Sequence, residues 1–209
     1  MSRRPYTPVI RQQAVDAGRD RVVTAARELL EGDEAEGFSL DAVARRAGVS
    51  RMTVYNQFGS KAGVLEAIFD SIAAHGPFKH MPDVFAETDP RVALDEFITL
   101  FGNFWTYSRR AHARLAVAAT TDADLAAIIA SRNERRRLGT AEIVRRLSNE
   151  IQPVVPKNEV ANVLFVLLSF DNFDALAGKD RTPSDVVPIV RATVYAVLGL
   201  SPKRARRKP

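Results

Sequence analysis

Residues 48–61 read GVSRMTVYNQFGSK. A turn glycine and a cap serine lead into Arg, Met, Thr, Tyr, Asn and Gln, with Val54 and Phe58 the apolar positions four apart. That spacing gives a short helix one buried edge. On a wheel begun at Arg51, Met52, Thr53 and Asn56 lie opposite that edge, flanked by Arg51, Tyr55 and Gln57. Core filler would be less polar, and a solvent-only segment would lack Val54, Tyr55 and Phe58.

The preceding stretch FSLDAVARRAGVS supplies a partner helix. Ser39 caps it, Asp41 complements its dipole, and Gly48 ends it. Ala44, Gly48 and Val54 are placed where two short helices crossing at a wide angle need them. A small residue lets the backbones approach, a glycine takes the left-handed turn, and an apolar residue locks the second helix. The major groove of B-DNA admits such a helix, and Arg, Asn and Gln read base edges there. Ser50, Tyr55, Lys61 and the open N–H groups after Ser60 suit phosphates.

Working outward, apolar spacing is helical nearly everywhere and no alternating strand run stands out, so the fold class is all-α. Val22, Ala26, Leu29 and Leu30 mark a first helix, with a start as early as Val9 and a weak point at Gly18. Ser60 caps a fourth helix that Gly76-Pro77 closes. The three prolines of GPFKHMPDVFAETDP (76–90) read as a connector. Asp89-Pro90 starts a long helix to about Ser108, followed by a shorter one over 111–119. Another opens at Thr121, Asp122 and Asp124 and runs to about Glu150, with a possible bend at Gly139. The last two span roughly 157–177 and 184–199, with Pro188 in the first turn of the final one. The total is about nine helices. The expected domains are an arm or helix extension (1–18), a helix-turn-helix domain (19–75), a larger helical domain (76–200) and a basic tail (201–209).

Composition narrows the chemistry. There is no cysteine among the 209 residues, which excludes disulfides and thiol catalysis. The longest apolar run, VLFVLL (163–168), falls far short of the roughly 20 residues a membrane span needs. No apolar stretch follows Arg3 and Arg4 as a signal peptide requires. These features fit a soluble, cytoplasmic protein with no membrane partner. The net charge of +5 equals the five cations of the tail SPKRARRKP, so the other 200 residues are neutral overall. Across 19–75 seven cations face nine acids. Any nucleic-acid surface must therefore come from a few well-aimed cations, not bulk charge.

From Arg19 to about Ile72 the chain resembles the DNA-binding domain of the TetR family of transcriptional regulators. The matching features are the Ala25-Ala26 helix, FSLDAVARRAGVS, and TVYNQFGSKAGVL, similar to the family's Tyr–x–x–Phe–x–x–Lys–x–x–Leu signature at Tyr55, Phe58, Lys61 and Val64-Leu65. The resemblance implies that Arg51, Met52 and Asn56 face bases, and that Thr53, Tyr55, Gln57 and Lys61 hold the backbone. Ser50 and Ser39 are further phosphate candidates. Two features depart from the pattern. The connector EGDEAEG (31–37) is longer and more acidic than the family's tight turn, and Met52 cannot hydrogen-bond a base.

The resemblance further implies a C-terminal domain for dimerisation and ligand binding, and hence a homodimeric repressor of a palindromic double-stranded DNA operator, released by a small-molecule effector. The residues independently support pairing, because NEVANVLFVLLSFDNFDALAG is apolar almost all round and the final helix is similar. A homodimer through the last two helices follows. Phe97, Phe101, Phe104 and Trp105 form an aromatic stripe followed by Tyr107 and His112. Core packing is the default for such a stripe. Phe101, Phe104, Trp105 and His112, with Asn162 and Asp171 from the apolar helix, are the ligand-binding candidates.

Nothing indicates a cofactor, a metal or catalysis: the three histidines are badly spaced, and no phosphate loop or nucleophile elbow occurs. The chain reads as no enzyme. Two other readings stay open, a helical carrier or enzyme with a vestigial motif, and an effector-independent DNA binder. Arg3, Arg4 and the basic tail are candidate extra DNA contacts.

Overall fold

The structure, a computed structural model, describes residues 8–32 and 38–201, with side chains from Asp16 onward. Arg3, Arg4, most of the acidic connector and the tail lie outside the described residues. Among the described residues every regular element is helical: ten α-helices and two 3-10 turns. The chain divides into two compact units, residues 1–72 with 113–125, and 73–112 with 126–209.

The first unit holds α1 (Pro8–Glu31), α2 (Leu40–Ala47), α3 (Arg51–Phe58) and most of α4 (Lys61–His75). α1 runs through Gly18 unbroken. Its stripe of Val22, Ala26, Leu29 and Leu30 is buried, as are Val43, Val54, Val64, Leu65 and Ile68 on the helices that follow. Burying each of these valine, leucine and isoleucine side chains contributes about 1.5–3 kcal/mol. Leu115 and Leu125, from the segment 113–125, are also buried.

The second unit differs from the sequence expectation in four places. The proline-marked connector is structured: Pro77–His80 form a 3-10 turn and α5 spans Met81–Ala86. Phe78 anchors it by stacking on Phe104, with centroids 3.6 Å apart. The expected break between Ser108 and Ala111 does not occur, and α6 is one helix from Pro90 to Ala118. Ser108 donates back to the Phe104 carbonyl at 2.7 Å, so its hydroxyl is satisfied within the helix, and Ala111 is buried.

α7 covers Ala123–Arg146, stopping short of Glu150. The expected helix over 157–177 is two, α8 (Val160–Leu167) and α9 (Phe170–Ala177), bent by 49°. Ser169 is the reason: its hydroxyl accepts the Asn172 N–H at 3.2 Å and starts a new helix inside the apolar run. A capped 3-10 turn, Pro183–Val186, precedes α10 (Val187–Leu198), with Pro188 in its first turn as expected. No single helix among the described residues is long and apolar enough to cross a membrane.

Candidate nucleic-acid interface

α2 and α3 meet at Gly48, whose φ of 66° and ψ of 34° are left-handed. This conformation costs a glycine least. Its N–H and that of Val49 return to the carbonyls of Arg45 and Ala44, closing the end of α2. Ser39 accepts the Ala42 N–H at 3.2 Å, and Ser50 accepts the Thr53 N–H at 3.0 Å. Both serines therefore act first as caps. Val54 is fully buried and fixes α3 through its inner edge.

Arg51, Met52, Tyr55 and Asn56 then point away. Met52 is 65% exposed and Tyr55 57%, unusual values for large apolar side chains. Arg51 and Asn56 are exposed beside them, and Thr53 is half-buried with its hydroxyl 2.8 Å from Ser50. Gln57 turns inward: its amide nitrogen is the nearest neighbour a side chain at Gly18 would meet. Its backbone carbonyl accepts from Arg19 at 2.9 Å, and the Arg19 guanidinium lies 4.4 Å from the centre of the Phe58 ring.

The joint to α4 depends on Gly63, which the sequence reading left without a role. A Cβ there would collide with the Phe58 carbonyl. Ser60 accepts the Gly63 N–H at 3.1 Å and starts α4, placing Lys61 at its first position. Two cations that the sequence marked for DNA contact already have internal partners. Arg51 reaches Asp41 at 3.2 Å, with both side chains largely in water. Lys61 meets Asp122 at 2.7 Å, and only 20% of the Asp122 side chain is exposed. The Lys61 hydrogen bond, followed by the Leu125 N–H, holds the Asp122 carboxyl below its usual range.

Two short helices joined by a left-handed glycine, the second pinned by one buried valine with Arg51, Met52, Tyr55 and Asn56 displayed, define a helix-turn-helix. The family is more specific. The model of the bacterial regulatory proteins, tetR family, matches residues 22–68. Residues 22–68 therefore match the DNA-binding domain of that family.

The chain is also similar to the HTH-type transcriptional regulator AlkX of Mycobacterium tuberculosis, 34% identical over 92 residues. That match covers 43% of this chain and spans 42% of the length of AlkX. Among solved structures, NalD of Pseudomonas aeruginosa, described as the secondary repressor of the MexAB-OprM multidrug efflux pump, superposes with a TM-score of 0.68 at 16% identity. The match covers 88% of this chain and 97% of that one. A transcriptional regulator from Rhodococcus gives a TM-score of 0.63 at 20% identity, covering 88% and 99%. At such identities these structures speak for a shared fold.

The expected ligand residues separate. Phe101, Phe104 and Trp105 are buried in one aromatic cluster with Phe78, Phe97 and His112. The His112 ring stands edge-on to Trp105 at 4.7 Å and also faces Phe170. Trp105 donates its indole N–H to the Leu168 carbonyl at 3.0 Å. Burial lowers the His112 pKa to about 4, aided by the charges of Arg132 and Arg136 and opposed by its hydrogen bond to the Ser108 carbonyl.

Asn162 is exposed and engaged elsewhere, accepting from Arg137 at 2.6 Å and donating to Glu159 at 3.0 Å. Asp171 is exposed in the first turn of α9. An open groove of about 490 Å³ lies on another face of α6, lined by His80, Asp83, Asp95, Glu96, Thr99 and Asn103 among others. Arg191 crosses it to Asp95 (3.1 Å) and Thr99 (2.8 Å). The sequence reading missed this groove, because its lining comes from three separated segments with no motif.

Proposed function

We propose that this protein is a homodimeric transcriptional repressor that inserts α3 of each copy into the major groove of a palindromic duplex operator and is released by a small-molecule effector. The observation that carries this reading is the exposure of Arg51, Met52, Tyr55 and Asn56 on a helix capped and pinned from behind. Arg51 and Asn56 supply bidentate base contacts, Met52 an apolar contact, and Tyr55, Thr53 and Lys61 phosphate contacts.

The second unit serves pairing and effector binding. Val166 and Ile189 are 60% and 41% exposed on the largely apolar α8 and α10, which supports a helical interface with a second copy. Two-fold pairing would set the reading helices about 34–36 Å apart, one turn of DNA. The aromatic cluster around Trp105 and His112 is the effector region this reading favours. The protein then acts in the cytoplasm without cofactor or catalysis.

Footprinting on the DNA flanking its own gene, across a salt series and with added metabolites, tests the reading. Protection of a palindrome that weakens steeply with salt and is lost with one compound is the expected result. Arg51→Ala should also relax preference at one base position. Salt-insensitive binding, or a footprint unchanged by Arg51→Ala and Asn56→Ala, overturns it.

A further inference from the structure

The ion pair between Lys61 and Asp122 joins residues 61 positions apart at 2.7 Å. Asp122 does two things at once. One carboxylate oxygen holds Lys61, and the other accepts the Leu125 N–H at 3.0 Å, capping the start of α7. The carboxylate is thus fixed in place by the backbone it caps, and it belongs to the segment 113–125 that packs with the helix-turn-helix unit. On either side of that segment the chain continues, through α6 and α7, into the second unit.

We propose that Asp122 is an internal stand-in for a DNA phosphate, which occupies Lys61 when no duplex is bound and must be displaced, or left sharing the ammonium, for Lys61 to neutralise the backbone. This rests on the DNA-binding reading above. A lysine ammonium is a compact point charge, and its pairing with a fixed anion lowers its worth to a second anion. The effect is large here because cations are scarce. Arg51 shares its charge with Asp41, and Arg46 with Glu28. The carboxyl of Asp122 is ionised at neutral pH, held below its usual range by the same contact. Asp122 therefore sets the strength of phosphate binding from a corner whose two flanking helices lead to the other unit, and any shift of that corner alters how tightly Lys61 is held.

The test is Asp122→Asn in the full-length chain. Asparagine caps a helix as well as aspartate does, so the change removes charge while keeping the start of α7. Asp122→Ser, another good cap, is the second variant should the first lose stability. Affinity for an operator duplex, followed by fluorescence anisotropy across a salt series, is expected to tighten about three- to tenfold, with a salt slope steeper by about 0.9, one extra phosphate. The gain should vanish when Lys61→Ala is added.

Unchanged or weaker binding by both variants overturns the proposal while leaving the DNA-binding reading intact. A gain that persists in the Lys61→Ala background also overturns it, because the charge would then act without Lys61. No salt-dependent duplex binding by the unmodified protein instead sinks the functional reading itself, and this inference with it.

Discussion

Helix α3 and the middle of α6 both carry aromatic and polar side chains at helical spacing, yet they present them oppositely. Tyr55 is 57% exposed, while Trp105, on a helix just as rich in polar neighbours, is 6% exposed. The difference lies in what each helix has behind and around it. α3 is eight residues long and is held by its caps and by Val54, so one edge suffices and the rest is free to meet a partner. α6 is 29 residues long, and Phe78, Phe85 and Phe170 close round its aromatic stripe. An aromatic residue on a short capped helix is available for recognition; the same residue on a long central helix is first a packing element.

The sharpest break of that contrast would come from truncating a ring on each helix. Phe101→Ala should cost about 3–5 kcal/mol by denaturant unfolding, since it empties a fully enclosed position. A loss below about 1 kcal/mol would mean that the α6 cluster is open enough to admit a ligand without rearrangement.

Next in size is a pH effect confined to the same cluster. His112 has a folded pKa of about 4 against an ordinary 6.5, so the unfolded chain binds its proton first as pH falls. Its contribution is complete above about pH 6.5 and drains away toward pH 4, by about 3 kcal/mol across the window. Unfolding of the unmodified protein and of His112→Gln at pH 7 and pH 5 should show the variant with the shallower dependence. Parallel curves would place the ring in water.

The smallest change in stability belongs to α3. Tyr55→Ala should leave the unfolding free energy within about 0.5 kcal/mol, as an exposed side chain allows. It should nevertheless weaken binding to every duplex tested, because a phosphate contact carries no sequence information. A large stability loss would show that the ring is packed in solution, and the contrast between the two helices would fail.

The first unit was nearly all readable from local chemistry. Ser39, Gly48, Ser50 and Ser60 punctuate it within 22 residues, and each acts through hydrogen bonds to its immediate neighbours. The second unit was harder because its signals are ambiguous at short range. Ser108 lies inside a helix and Ser169 starts one, although both sit in apolar surroundings. Only their bonding, Ser108 back to Phe104 and Ser169 forward to Asn172, tells them apart. Gly63 was visible but silent, since its need is the nearness of the Phe58 carbonyl. The ligand candidates fared unevenly for a similar reason: a stripe keeps Phe101, Phe104 and Trp105 together, whereas Asn162 is drawn away by Arg137.

By itself the sequence determined the helical class, the caps and turn of the helix-turn-helix, and the outward face of Arg51, Met52, Tyr55 and Asn56. These depend on interactions spanning three or four residues, which the order of amino acids specifies directly. Tertiary structure alone decided the partners of the charges and rings: Asp122 for Lys61, Asp41 for Arg51, Leu168 for Trp105, and the groove crossed by Arg191. Those pairings join residues from 10 to 96 positions apart. Electrostatics and packing act through distance in space, and only the folded chain sets that distance.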